Sequence, residues 1–524
     1  MSEHISTKVK HKSRKLLFRV LFSRAMISCL LLLVQLGVLL FLYTKVSAYL
    51  DYYMTGFLIF SMIIIIFVIN RDGRPEFKMA WMLPMCVFPI FGALLYILIQ
   101  VNPGTIGLQR SMRRVKEATR LYCETAPEVT AALQESSPYM ANLAYYMEHT
   151  GGAPTYQNTG VEYYPVGEDA FVAFKEELNK AKKFIFIEFF IISEGMMWET
   201  ILDILKRKVT EGVEVRVMYD GTCAFASLPY SYAKKLQKYG IKAKAYAPIK
   251  PMLSTHQNNR DHRKILDIDG RVAFTGGINL ADEYINQKVV YGYWKDTTIK
   301  VEGDAVRSMT MLFLQMWNVG ETVEEDYAKY INIKTDRLPK EGDGFVIPYG
   351  DEPTNEEDVA EDVYRDMLNK ACDYVHITTP YLIVDHEMLS AICFAAKRGV
   401  DVKIVIPHIP DKKIAFYIAK TFYVPLMKAG VKVYEYEPGF MHAKSFVADG
   451  KRAVVGSINL DYRSLYHHFE CAVYMYKNKV IEDIERDFQH TIKQSILITP
   501  EEYKKVSVWE KIVGRVFKIF SPLM

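Results

Sequence analysis

One polar motif occurs twice in this 524-residue chain, and the duplication constrains the fold more than any other feature. His262-Arg263-Lys264 is followed by Asp269 and then by Gly276-Gly277-Ile278-Asn279. His442-Ala443-Lys444 is followed by Asp449 and then by Gly456-Ser457-Ile458-Asn459. Both copies read H-x-K-x4-D with a small-small-x-Asn run seven residues after the Asp, and the two histidines lie 180 positions apart. The repeat extends upstream. An apolar run at 181–193 (AKKFIFIEFFIIS) leads through a helical stretch to Gly212-Val213-Glu214-Val215-Arg216-Val217, and one at 371–384 (ACDYVHITTPYLIV) leads to Gly399-Val400-Asp401-Val402-Lys403-Ile404. Short β-branched runs alternating with helices predict an α/β fold of two pseudo-repeated halves, with mainly β, largely buried sheets flanked by helices.

A strand places the His and Lys of one motif on the same face and turns the residue between them away. An imidazole beside an ammonium suits a phosphate: Lys and Asn hold its oxygens while His attacks phosphorus. A lone H-x-K is usually an incidental surface pair, and a lone Gly-Gly is usually a turn. Two matched copies carry more weight, because displacement at phosphorus needs a nucleophile on one side and an acid at the leaving group. After the first transfer the acid has become a base, ready for an acceptor hydroxyl. Such a cycle calls for no metal, nucleotide or other cofactor.

The hydrophobic half of the composition is unevenly spread. Residues 25–43, 54–70 and 79–101 are long apolar stretches, the third containing Pro84 and Pro89. Spans of about 20 residues cross a bilayer, so two or three transmembrane helices are expected. The third stretch could instead be re-entrant, and the first a cleaved signal segment, although it is long for one. The charge pattern leaves orientation open. The basic tail and the turn with Arg71, Arg74 and Lys78 favour the inside, whereas Arg110, Arg113, Arg114, Lys116 and Arg120 conflict with three spans. Residues 1–24 have seven Lys/Arg against one Glu, a net of +6, so the +4 of the whole chain leaves −2 for residues 25–524. A nucleic-acid enzyme needs a basic body, so no nucleic-acid partner is expected. Seven widely spaced cysteines without C-x-x-C suggest neither disulfides nor a zinc site.

The doubled motif is the signature of the phospholipase D superfamily, and further runs resemble bacterial cardiolipin synthases. They are Asn259-Arg260-Asp261-His262, Thr275-Gly276-Gly277, Trp294-Lys295-Asp296-Thr297, Pro438-Gly439-Phe440-Met441-His442 and Asn459-Leu460-Asp461-Tyr462-Arg463-Ser464, with Met79-Ala80-Trp81 near the N-terminus. The resemblance spans roughly 54–524 and implies roles. His262 would be the nucleophile and His442 the general acid, then base. Lys264, Lys444, Asn279 and Asn459 would bind phosphate oxygens. Asp296 and Glu470 would orient the histidines. Asp269 and Asp449 belong to the catalytic motif, yet each precedes Gly in a turn, so structural work is expected of them. Gly277 against Ser457 is the one departure between the copies. The implied reaction converts two phosphatidylglycerols into cardiolipin and glycerol, with membrane phospholipids and the bilayer as partners and a multi-pass place in the cell membrane. A phospholipase using water is the nearest rival; a nuclease and a non-enzymatic scaffold are further ones.

The implied organisation is a basic tail and anchor at 1–102, a helical linker at 103–158, halves at 159–335 and 336–505, and an amphipathic helix at 506–524. Within the last, Trp509, Ile512, Val513, Val516, Phe517 and Phe520 share a face, which suits a membrane surface or packing on the protein equally. His256, His467 and His468 lie near the motif histidines in sequence; ordinary polar contacts are expected of them rather than a metal site. Oligomeric state is not readable.

Overall fold

The structure is a computed structural model that describes residues 33–523 except 35, 39, 42, 46–49, 101–102, 249–257, 324, 332–336 and 355–356. The basic tail, most of the first apolar stretch and His256 lie outside the described residues. The chain divides into two compact units, residues 1–105 with 248–258, and residues 106–247 with 259–522.

In the first unit the second apolar stretch forms a helix, Leu50–Asn70, whose side chains are described without a break only from 59 onward. The third stretch is not one helix. It breaks at Phe88, just before Pro89, into Pro75–Val87 and Pro89–Gln100, of 13 and 12 residues. At 1.5 Å per residue these reach only about 20 Å, against about 30 Å of hydrocarbon. Among the described residues no helix is long and apolar enough to cross a membrane, so the expected transmembrane helices are not supported. The three helices instead share a small core, with Val68, Met85 and Tyr96 buried and the Trp81 ring set edge-on to Tyr96 at 5.5 Å.

The second unit holds the repeat. Its first half contributes β1 (Thr159–Tyr164), β2 (Phe184–Phe189), β3 (Glu214–Asp220), β4 (Lys242–Tyr246), β5 (Lys264–Ile268), β6 (Val272–Gly276), β7 (Tyr293–Lys295) and β8 (Thr298–Gly303). The second half contributes β9 (Phe345–Asp351), β10 (Tyr374–Thr378), β11 (Leu382–Ile383), β12 (Asp401–Pro407), β13 (Lys432–Tyr436), β14 (Gly439–Met441), β15 (Ser445–Ala448), β16 (Arg452–Gly456), β17 (Leu460–Asp461), β18 (Glu470–Tyr476) and β19 (Ser495–Leu497). One sheet runs β1-β8-β6-β5-β2-β3-β4 and the other β9-β18-β16-β15-β10-β12-β13-β19. The two orders coincide strand for strand, with β19 an addition at the edge. So do the directions: β2–β3 and β10–β12 are parallel, while β2–β5 and β10–β15 are antiparallel.

The sequence explains the layering. β2, FIFIEF, does not alternate apolar with polar, and β10, YVHIT, alternates yet has both faces buried from Val375 to Thr378, because each sheet is covered on both faces. Along β5 and β6 the side chains part by pleat. Ile265 and Ala273 pack with Val447, Val455 and Val473 of the other sheet. Leu266, Ile268 and Phe274 turn to the helices Gly167–Lys180 and Met196–Thr210. On the far side Tyr364, from the helix Val359–Lys370, stacks on Phe446 at 3.9 Å. Two sheets thus lie face to face with helices outside. Helices Pro127–Ser136 and Pro138–Gly151 brace the second half through Tyr146 to Asp362 and Lys477 to Ser136.

Candidate active site

Two short crossings join the halves. β7 of the first half pairs in parallel with β14 of the second, and Asp261 bridges to Phe469 in the same sense. In the first crossing the His442 N–H donates to Lys295 O at 2.7 Å; in the second the His262 N–H donates to Phe469 O at 2.9 Å. Each histidine is therefore fixed beside the residue that precedes the other half's carboxylate. The side chains complete the cross. His262 Nδ1 lies 2.8 and 2.9 Å from the Glu470 oxygens, and His442 Nδ1 lies 2.6 Å from Asp296 Oδ2. With Nδ1 donating to a carboxylate, Nε2 of each ring carries the free lone pair. Both histidines line one cleft of about 980 Å³, so neither half holds a whole site.

Lys264 and Lys444 are buried, each curling back to the carbonyl of its motif histidine. Burial lowers their pKa values, to about 8 for Lys264 and about 7 for Lys444. Burial and the Lys444 ammonium push His442 down to about 4 against the opposing pull of Asp296. Burial, with Lys264 next, holds His262 well below the usual imidazole range. The site thus presents neutral imidazoles within a positive field, which an anion between them would relieve.

The copies differ where the sequence differs. A Cβ on Gly277 would meet Asp296 Oδ1 at 2.0 Å, so glycine there makes room for the carboxylate. At the matching position Ser457 donates its hydroxyl to Glu470. Asn279 accepts from the Ile191 N–H at 3.0 Å and donates to the Tyr284 hydroxyl at 2.7 Å, whereas Asn459 Oδ1 is buried without a partner among the described residues. Both line the cleft. Behind His262 the inward-turned Arg263 meets Glu188 at 2.7 Å and Asp261 at 3.5 Å; the second half has Ala443 there.

Asp269 and Asp449 are not brought to the cleft. Each sits past the far end of the motif strand at φ +60° and +53°, in a tight turn closed by Arg271 N to Ile268 O or Lys451 N to Ala448 O. The Asp269 carboxylate accepts the backbone N–H groups of Lys182, Lys183 and Phe184 at 2.7–2.9 Å. Asp449 accepts those of Cys372, Asp373 and Tyr374. A catalytic part for these two is therefore corrected to a structural one: they cap the entry to β2 and β10. The sequence assigned no role to Arg260, Arg463 and Trp294, which stand in the family-like runs, and did not single out Tyr284; all four line the cleft. Position was the available signal, since Arg260 and Phe440 each stand two before a motif histidine.

A paired, internally symmetric fold with a His-Lys couple from each half defines a member of the phospholipase D superfamily, and the comparisons narrow it to a phosphatidyltransferase. The family model described as cardiolipin synthase, PLD-like domain, matches residues 174–317 and 364–492, and a phospholipase D-nuclease N-terminal model matches 57–100. The chain belongs to the cardiolipin synthase family of that superfamily. Cardiolipin synthases of Geobacillus kaustophilus and Halalkalibacterium halodurans are 31% and 30% identical to it over 88% of its length and 92% and 91% of theirs. A Streptococcus mutans protein named only as uncharacterized is 49% identical over 88% of this chain and 99% of its own. Among solved structures, phosphatidylserine synthase of Haemophilus influenzae shares the fold, with a TM-score of 0.54 at 15% identity over 69% of this chain and 93% of that one.

Proposed function

We propose that the protein makes cardiolipin by moving a phosphatidyl group from one phosphatidylglycerol to another, through a phosphatidyl-histidine on His262. The observation that carries this reading is the crossed pair of carboxylate-bound histidines in one cleft. His262 Nε2 attacks phosphorus, the bond to the leaving glycerol oxygen breaks, and His442 gives that oxygen a proton. The acceptor's primary hydroxyl then loses its proton to His442, its oxygen forms the new P–O bond, and the P–N bond to His262 breaks. Lys264 and Lys444, with Asn279 and Asn459, stabilise the phosphoryl oxygens throughout. Glu470 and Asp296 hold each ring by its Nδ1–H and offset the positive charge that forms on it. The bound phosphodiester anion counters the two lysines and lifts His442 toward the protonated form that the first step needs. One phosphodiester is exchanged for another, so no CTP, metal or other cofactor enters.

The same reading places the protein at the cell membrane, held to the bilayer by its apolar N-terminal segments. The helix Val508–Lys518 supports interfacial work. It packs on Lys413–Ala429, where a Cβ on Gly514 would meet Tyr417 O at 2.2 Å, yet leaves Trp509 69% exposed along with Val508, Ile512 and Val516. Ser521, just beyond it, lines the cleft. The test is to quench turnover in acidless denaturant and map labelled lipid phosphate on the chain. Acid-labile label is expected on His262, absent from His262→Ala and reduced in His442→Ala, whose first step lacks its acid, with either substitution lowering turnover at least about 10²–10⁴-fold. Label on a serine or carboxylate would sink the mechanism.

A further inference from the structure

The twofold relation that makes the histidines alike lets their surroundings be compared position by position, and the two flanks differ in kind. Two residues before His442 stands Phe440, and two before His262 stands Arg260. Two before Asp296 stands Trp294, and two before Glu470 stands His468. Four after Asn279 stands Glu283, and four after Asn459 stands Arg463. All six line the same cleft. One flank is aromatic, with the Phe440 and Trp294 rings 5.6 and 5.4 Å from that of His442. The other is basic.

The basic flank is chemically incomplete. His468 is only 8% exposed, its ring lies 5.3 Å from that of His262, and among the described residues neither ring nitrogen has a hydrogen-bond partner. The closest carboxylate oxygen, on Glu470, is 3.7 Å from its Nδ1 and is already engaged by His262. Arg463 is half-buried and, among the described residues, its guanidinium makes no hydrogen bond or ion pair. Its neighbour Arg260 is buried, gives one bond to Ala247 O, and stands 3.7 Å from Asp220. Three carboxylates also face the cleft: Glu283 stands at the position on the aromatic flank that matches Arg463, Asp461 caps the Ser464 N–H at 2.8 Å, and Asp411 takes the Tyr381 hydroxyl at 2.6 Å. Buried polar groups are normally satisfied, and a buried cation without a partner is costly. A divalent cation on His262, His468 and Glu470 would meet Lys264 and Arg463 at once; an anion meets Arg463 and Arg260, while the nearby carboxylates of Glu470, Asp461 and Asp411 each already hold a donor.

We propose that Arg463, Arg260 and His468 form a second anion subsite, which holds the phosphodiester of the acceptor phosphatidylglycerol. The proposal rests on the transfer reading above. In that reaction the product carries two phosphates joined through a single glycerol, so both must sit in one cleft one glyceryl apart, against their mutual repulsion. The motif lysines hold the phosphate that reacts; the basic flank holds the one that does not. Water and neutral alcohols have no second phosphate and gain nothing from this flank. Selection of a lipid acceptor then comes from binding energy on a non-reacting group.

The experiment offers wild type, Arg463→Ala, Arg463→Lys and His468→Ala phosphatidylglycerol vesicles together with a neutral primary alcohol, and reads cardiolipin, phosphatidyl alcohol and phosphatidic acid in each sample. Arg463→Ala is expected to lower the ratio of cardiolipin to phosphatidyl alcohol about tenfold, the size of one lost charged hydrogen bond. His468→Ala should shift it the same way, and Arg463→Lys should recover part of the loss. An unchanged ratio, or an equal fall in all three products, overturns the subsite while leaving the transfer reading intact. A wild-type enzyme that forms phosphatidic acid alone overturns the transfer reading itself, and the subsite with it.

Discussion

His262 and His442 each take a carboxylate from the opposite half, so the catalytic unit is the cross rather than the motif. The histidines, the lysines and the two orienting carboxylates were readable in sequence. Which carboxylate serves which histidine was not, because that depends on the parallel crossings Asp261–Phe469 and Met441–Lys295, and no periodicity encodes a pairing between distant segments. The need for Gly277 was hidden for the same reason: its lost side chain makes room for Asp296, which lies nineteen residues on. The lowered lysine pKa values give a pH prediction. Both ammonium groups bind the phosphodiester only while protonated, and in the free enzyme they lose their protons as pH rises through about 7 for Lys444 and about 8 for Lys264. Accordingly kcat/KM, which reports the free enzyme, should fall on raising pH through that window. The kcat limb should lie at higher pH, because a bound anion favours the charged lysines. Profiles of both constants over vesicles of fixed composition check this; an alkaline limb that appears only above about 10, the ordinary lysine range, would contradict it.

At the scale of elements, the apolar strands before each motif, β2 and β3 with β10 and β12, followed from β-branched runs and the repeat, whereas the sheet order and the N-terminal helices did not. Apolarity alone suggested one long segment over 79–101, and Pro89 divides it, since its ring blocks the helix before it and fixes a new first turn. The motif aspartates illustrate the converse. They recur in both copies because each β5-like strand ends in a turn with two positive-φ residues, and its Asp ties that turn to three N–H groups at the start of the next strand over. Asp269→Ala and Asp449→Ala should therefore each cost about 1–3 kcal/mol of stability from donors left unpaired. Thermal or denaturant unfolding reads the loss, and turnover per folded molecule should stay near wild type. A large drop in kcat without a change in melting would return these residues to the chemistry.

At the scale of the whole molecule, two pseudo-equivalent halves of the second unit enclose one cleft, and their difference in lining chemistry gives a symmetric scaffold a direction. The exposed apolar face of Val508–Lys518 lies on the element that also leads to the cleft through Ser521. Trp509→Glu with Ile512→Glu should weaken binding to phosphatidylglycerol vesicles and raise phosphatidic acid relative to cardiolipin, measured by flotation and product analysis. Unchanged binding would leave that face without a membrane role. The central claim, transfer between two lipids through paired histidines, is tested most directly by giving purified enzyme labelled phosphatidylglycerol in vesicles with chelator present and no CTP. Cardiolipin and free glycerol in equal amounts are the predicted products. Dependence on a CDP-activated lipid, or phosphatidic acid as the dominant product, would contradict the account.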